Sequence, residues 1–198
     1  MFVTFEGLDG SGKTTQAELL RAHLVEAGRD VVATREPGGT ELGERIRQVL
    51  LEGAEMSPWA EASLFAAARA ELVELVIAPA LERGADVICD RYLDSSLAYQ
   101  GIARGLGVDE VLELNQHVVR GVLPHRTFVL LIDPEESERR VGSTMDRIEG
   151  AGSEFRQRVA GAYRALAEFF PDRIRALDGT LPAEEIARAV REDLSLRV

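Results

Sequence analysis

Phe2-Val-Thr-Phe-Glu-Gly-Leu-Asp-Gly-Ser-Gly-Lys-Thr-Thr15 opens the chain and decides how the rest is read. A short apolar run from Phe2 to Phe5 ends at Gly7. The stretch Gly7 to Thr14 then fits G-x-x-x-x-G-K-[ST], the phosphate-binding Walker A pattern. After it, apolar residues recur at helical spacing, with Ala17, Leu19, Leu20, Leu24 and Val25 mostly on one face. The motif therefore lies between a buried strand and a helix start, where its physics requires it. Glycines let backbone N–H groups converge into a nest, and the helix N-terminus adds positive potential for phosphate oxygens. Lys13 can reach terminal phosphates from here, and the Thr14 hydroxyl can meet a divalent cation.

Lys13 is the only lysine in the chain; every other cationic side chain is an arginine. A bias that strong has spared one position. A flexible point charge suits a phosphate-binding loop, and a planar guanidinium does not replace it well.

At 198 residues the chain has the size of one ordinary domain, able to bury a substantial core. It shows no repeat, linker or low-complexity tract, so we expect residues 1–198 to form one domain. No apolar run is long enough to cross a bilayer, and no basic segment precedes an apolar one at the start. The lone Cys89 cannot form an internal disulfide and fits a reducing compartment, hence an expected cytoplasmic location. The net charge of −11 argues against bulk attraction to nucleic acid or anionic membranes. An acidic protein that binds phosphates must gather its cations locally, which makes individual arginines informative.

Working outward, Val31-Val-Ala-Thr34 reads as a second buried strand. It empties into the turn-rich Arg35-Glu-Pro-Gly-Gly-Thr40. Helical spacing covers Glu41 to Leu51, and Ser57-Pro58 caps a long helix running to Gly84, with Pro79 a kink. Asp86-Val-Ile-Cys-Asp90 is a third strand, delivering Asp90-Arg91-Tyr92 to the same edge as the first loop. Helices follow near 94–103 and 109–121, then a strand at Thr127 to Ile132. Further helix, a loop from Gly142 to Gly152, a helix over 153–169, a strand at Ile174 to Leu177 and a closing helix complete the chain. Strands alternating with helices imply an α/β P-loop NTPase fold: about five parallel strands with helices on both faces and a short lid near 139–152.

The chemistry follows from which residues reach that edge. A guanine-reading Asn-Lys-x-Asp is absent, since there is no second lysine. Arginines recur on the edge loops instead: Arg35, Arg47, Arg69, Arg91, Arg139, Arg140 and Arg147. Arg91, directly after a buried strand, is aimed at the site. A phosphate monoester has a second pKa of about 6, so such an acceptor is already a nucleophile at neutral pH. No general base is then needed, and none of the three histidines falls in a motif. The task is alignment and charge neutralisation, by Lys13, Mg²⁺ and Arg91. Asp90 orients either the metal's water shell or Arg91.

Gly7 to Thr15, Thr34-Arg-Glu-Pro-Gly-Gly-Thr40, Leu64-Phe-Ala-Ala-Ala-Arg69, Asp90-Arg-Tyr-Leu-Asp-Ser-Ser-Leu-Ala-Tyr-Gln-Gly101 and Asp146-Arg-Ile-Glu149 together resemble the bacterial thymidylate kinases, in the family's order along essentially the whole chain. The resemblance implies Mg²⁺-dependent transfer of the ATP γ-phosphate to dTMP in a cytoplasmic homodimer that binds neither nucleic acid nor membrane. ATP would lie on Gly7, Leu8, Asp9, Gly10, Ser11, Gly12, Lys13, Thr14, Thr15 and Arg139, with Mg²⁺ near Thr14 and Asp90. Phe65 would stack on thymine, Arg69 would bond a base carbonyl, and Ser96 and Gln100 would read the remaining edge. Tyr99 would pack where a 2′-hydroxyl would clash, while Glu36, Pro37, Arg47 and Arg91 would line the sugar and monophosphate pocket. Asp9 would approach the acceptor's sugar or a metal-bound water. Family members with glycine in the loop, as at Gly10, compensate with an arginine-rich lid. Arg147 and one of Arg139 or Arg140 are accordingly expected to close over the phosphates; the alternative is that they pair with Glu135, Glu136 or Glu138. Two rival functions remain at this point: a kinase of the same fold acting on dUMP, dCMP or a deoxynucleoside, and a nucleotide-binding regulator that transfers nothing.

Overall fold

The computed structural model describes residues 1–142 and 147–196. In chain order the strands and helices are β1 (Phe2–Gly7), α1 (Lys13–Glu26), β2 (Val31–Arg35), α2 (Glu41–Glu52), α3 (Pro58–Leu72), α4 (Ala78–Glu82), β3 (Asp86–Asp90), α5 (Leu93–Ser96), α6 (Val108–Val119), β4 (Arg126–Leu131), α7 (Pro134–Val141), α8 (Ser153–Phe169), β5 (Ile174–Asp178) and α9 (Ala183–Asp193). The five strands form one parallel sheet in the order β2-β3-β1-β4-β5, so the strand preceding the loop is central. Register aligns Phe5 with Asp90, Arg35 with Asp90, and Gly7 with Leu130, which brings the strand ends and their loops to one rim.

Strand alternation sorts β1 onto two faces. Val3 and Phe5 turn toward α1 and α9, packing with Leu20, Leu24, Ile186 and Val190. Phe5 stacks on Phe128 with ring centroids 5.6 Å apart. Phe2 belongs to the larger core, which joins α3, α6 and α8. On that same face the alternation carries Thr4 and Glu6, both fully buried. Each fully buried Phe or Leu contributes about 2 kcal/mol of transfer free energy.

Two helices depart from the sequence-based picture. Between α3 and α4, Val73–Ile77 is a π-helical turn, closed by an Ala78 N–H to Val73 carbonyl bond. Pro79 follows immediately; it lacks an N–H and its ring crowds the preceding turn, and the wide turn accommodates it. After α5 the chain is again π-helical from Leu97 to Ala103. Arg104 N–H reaches back to the Tyr99 carbonyl at 2.8 Å. This second wide turn carries Tyr99 and Gln100. A short 3₁₀ turn at Glu149–Ala151 interrupts the expected loop. Residues 143–146, including Asp146 and the middle of the expected lid, lie outside the described residues.

Candidate active site

β1 ends where a side chain cannot fit. A Cβ at Gly7 would lie 2.5 Å from the Leu130 carbonyl oxygen, and Gly7 has φ 135°. The loop then folds over itself and α1 begins at Lys13. Lys13 is only 6% exposed, and its Nζ donates to the Leu8 carbonyl at 2.8 Å and lies 3.4 Å from Asp9 Oδ1. Burial lowers its pKa, and the nearby Arg91 charge lowers it further against the pull of Asp9 and Asp90. A polyanion arriving here would relieve both costs. Beside the loop, Thr14 Oγ1 donates to Asp90 Oδ2 at 2.5 Å. An open cleft of about 820 Å³ runs from the loop past Thr34, Arg35, Arg47, Asp90 and Arg91.

α7 leans on this loop. Ser137 Oγ donates to the Asp9 carbonyl at 2.6 Å, and Arg140 Nη1 reaches the carbonyls of Gly10 at 3.2 Å and Gly179 at 3.1 Å. A Cβ at Gly10 would lie 2.9 Å from Arg140 Cβ. The missing side chain in the loop is what lets the arginine approach.

Arg91 sits between two cavities. Its φ of 70° is unusual for a non-glycine residue. Nη2 donates to Asp9 Oδ1 at 2.6 Å, while Nη1 donates to Ser95 Oγ at 3.2 Å and Tyr163 Oη at 3.1 Å. Burial pulls its pKa down, but Asp9 and the surrounding phenols hold it well above the ordinary guanidinium range. On its other side lies a smaller pocket of about 140 Å³, lined by Glu36, Pro37, Arg47, Phe65, Tyr99 and Gln100 among others. Asp9, Glu36, Arg47 and Arg91 border both cavities. Burial pushes the Tyr99 hydroxyl pKa up, so it stays a neutral phenol.

Gln100 is held by a buried acid. Glu61, 1% exposed, accepts from Gln100 Nε2 at 2.9 Å, from Arg104 at 3.1 Å and from Arg147 at 2.8 Å. Burial alone would raise the Glu61 pKa, but these hydrogen bonds bring it below the ordinary value. An ionised carboxylate only accepts. The Gln100 amide must therefore turn its NH₂ toward Glu61, which leaves the carbonyl oxygen for the pocket.

The comparisons with known proteins agree with one another. A family model described as thymidylate kinase matches residues 5–190. The chain belongs to the thymidylate kinase family. A thymidylate kinase of Bifidobacterium longum (strain DJO10A) is 49% identical over 98% of this chain and 97% of its own length. One from Pelotomaculum thermopropionicum is 50% identical over 90% of this chain and 85% of its own. The crystal structure of thymidylate kinase from Ehrlichia chaffeensis superposes with a TM-score of 0.83 at 34% identity, covering 98% of both chains.

Against the thymidylate kinase expectations, the rim gathers Asp9, Lys13, Thr14, Asp90 and Arg91 at the cleft. It also gathers Glu36, Pro37, Arg47, Phe65, Tyr99 and Gln100 at the pocket. Four expected site residues have other partners in this structure. Arg69, expected on the base, is 1% exposed and spends every N–H elsewhere: on Glu36, on Ser96 Oγ at 3.0 Å, on Asn115 Oδ1 and on the Tyr92 carbonyl. Ser96, its partner, is buried with it behind the wall. Arg139, expected on ATP, has a side chain 75% exposed and bonded to Glu136, while its neighbour Arg140 meets the loop. Arg147, expected over the phosphates, is drawn to the Glu61 carboxylate and to the Leu50 carbonyl at 2.8 Å.

Sequence reasoning missed Glu6, Ser95, Tyr163 and Glu61. Glu6 had a signal: an acid inside an apolar strand, directly before the loop. Glu61 had a fainter one, since 61, 65 and 69 share a stripe of α3 at four-residue spacing.

Proposed function

We propose that the chain transfers the γ-phosphoryl group of ATP to dTMP, giving ADP and dTDP, as one catalytic domain of 198 residues. The observation that carries the reading is the meeting of two cavities at Asp9 and Arg91, one floored by the Walker A loop and one walled by an aromatic ring. Lys13 and the start of α1 hold the donor phosphates. Arg91, facing both cavities, neutralises charge on the transferred group and keeps the two anions aligned. Phe65 stacks on the base. Gln100 offers its carbonyl oxygen to a ring N–H, which thymine has at N3 and cytosine lacks. Tyr99 fills the space beside the sugar where a 2′-hydroxyl would go. Arg69 and Ser96 shape the pocket from behind through Glu36 and Tyr92, and Arg147 serves Glu61 rather than the phosphates.

Thr14 and Asp90 suit Mg²⁺: two hard oxygen donors 2.5 Å apart at the loop's edge. No group of three or more His, Cys, Asp or Glu able to hold a metal exists among the described residues. That fits a cation bound mostly through phosphates and water. When bound, it would supply positive charge to offset that of the phosphates. No helix among the described residues is long and apolar enough to cross a membrane; the cytoplasmic assignment rests on the family resemblance. Trp59 of α3 and Leu75 of the following turn are 46% and 59% exposed. They are the apolar surface we assign to a homodimer, testable by light scattering.

The test of the activity is an acceptor panel with labelled ATP: dTMP, dUMP, dCMP and thymidine. We expect dTMP to lead by at least about tenfold in kcat/KM, roughly 1.4 kcal/mol of transition-state discrimination. A non-thymidine acceptor leading by that margin overturns the reading, and ATP binding without dTMP-stimulated ADP release would indicate a regulator.

A further inference from the structure

Behind Arg91 lies a carboxylate that neither ligand would touch. Glu6 is fully buried on β1. Its Oε1 accepts from the backbone N–H of Tyr92 at 2.8 Å and of Ser95 at 3.2 Å. Its Oε2 accepts from Ser95 Oγ at 2.5 Å and from Tyr163 Oη at 3.0 Å. These are the same two hydroxyls that receive Arg91 Nη1.

The direction of these bonds matters. A hydroxyl has one proton. If Ser95 and Tyr163 each spend theirs on the carboxylate, both oxygens turn lone pairs toward Arg91. The two N–H groups of Nη1 are then both caught, and Nη2 is held by Asp9 at 2.6 Å. The guanidinium is thereby fixed from both ends. Glu6 also holds the backbone just after Arg91, where φ of 70° must be maintained in a residue with a side chain.

We propose that Glu6 is a positioning residue for Arg91 in phosphoryl transfer, acting through the hydroxyls of Ser95 and Tyr163. The inference rests on the reading that Arg91 meets the transferred phosphoryl group. A neutral amide in place of Glu6 would present a donor to one of its acceptor sites. The two backbone N–H groups keep the amide oxygen at the Oε1 site, so the NH₂ takes the Oε2 site; both hydroxyls would then have to accept from the amide and turn their protons away from it, toward Arg91. The side chain would still fill its space, so the fold survives while the guanidinium loses its seat. Burial works against the carboxylate here and pushes its pKa up to about 7. A carboxylate kept where burial opposes its charge, one hydroxyl away from the central arginine, fits a functional assignment.

The experiment compares Glu6→Gln, Tyr163→Phe and Arg91→Ala in the full chain at a pH about two units above the Glu6 pKa of about 7, where Glu6 is ionised, with steady-state kinetics in both substrates and thermal unfolding. Glu6→Gln is expected to lower kcat by about tenfold to a hundredfold while both KM values stay within about threefold and the melting temperature does not fall. Tyr163→Phe should lower kcat by about threefold or more, and it decides the matter should Glu6→Gln not fold. In an Arg91→Ala background, Glu6→Gln should cost less than about a further twofold, because the group it positions is gone. Unchanged kcat in folded Glu6→Gln, or losses that simply multiply with those of Arg91→Ala, overturns the inference while leaving the role of Arg91 intact. Unchanged kcat in Arg91→Ala overturns both.

Discussion

Two glutamates, each no more than 1% exposed, bond residues that line the smaller pocket, Ser95 and Gln100, and have opposite characters. Glu6 accepts from two backbone N–H groups and two hydroxyls, all uncharged. Glu61 accepts from an amide and two guanidinium groups. Burial pushes both carboxyl groups up. At Glu6 it prevails, aided by the negative charge of Asp94, and the pKa reaches about 7. At Glu61 the donors prevail and the value falls below the usual range. Between these two acids, it is the charged donors at Glu61 that reverse the direction burial sets. Glu61 is thus a permanent anion that can fix an amide's orientation. Glu6 is balanced near neutrality, and the cation that acts on it, Arg91, is already bonded to Asp9.

Removing each acid separates them most sharply. Glu61→Ala leaves the Gln100 amide and two guanidinium groups without their shared acceptor. We expect it to lower unfolding free energy by about 3 kcal/mol, measured by urea denaturation at pH 8. A loss below about 1 kcal/mol would mean that these donors find water and that the contrast is superficial.

pH should divide the two acids as well. The Glu6 pKa lies above its ordinary 4.5 in the folded chain, so folding binds its proton. That contribution is fully present below pH 4.5 and is lost as pH rises toward 7. Relative to wild type, Glu6→Gln should therefore gain up to roughly 3 kcal/mol of stability between pH 4.5 and pH 8. Glu61 has the reverse sign: its contribution is present above the ordinary value and lost as pH falls below it. Parallel stability curves for wild type and Glu6→Gln would show that Glu6 titrates as an ordinary carboxyl.

A third effect concerns selectivity. Glu61→Gln can donate as well as accept, so it no longer dictates which way the Gln100 amide faces. Discrimination of dTMP against dCMP in kcat/KM should fall by about tenfold, with kcat for dTMP changing less. Undiminished discrimination would move base reading to other residues.

Much of this was legible in the residues. The glycine-rich turn after Phe2–Phe5, the strands at 31–34, 86–90 and 127–132 and the intervening helical spacings specified a parallel sheet, because each signal is local. The order β2-β3-β1-β4-β5 then gathered Asp9, Lys13, Asp90 and Arg91 without further information. What could not be read depended on distant partners. Arg147 goes to Glu61, 86 residues away, and no local pattern records that pull. Only the family resemblance assigns Arg69 to the base, and no local pattern announces its partners Glu36, Ser96 and Asn115, which come from three other segments. The wide turn at 97–103 was equally hidden, since its sequence has ordinary helical composition.

The smallest effect tests the contrast at the surface, where a third acid, Glu136, serves two adjacent arginines. Arg139 and Arg140 bond it at 2.5 and 2.6 Å, so its carboxylate alone does not distinguish them. Their other contacts do: Arg139 has a side chain 75% exposed, while Arg140 also reaches the carbonyls of Gly10 and Gly179. An exposed ion pair in water contributes little, because side-chain entropy and screening offset the attraction. Arg139→Ala should therefore change kcat/KM for ATP by less than about twofold. Arg140→Ala should lower it by about tenfold, as expected for a cation against the phosphate loop. Equal effects from the two substitutions would mean that Glu136, rather than the approach allowed by Gly10, is what the arginines of α7 serve.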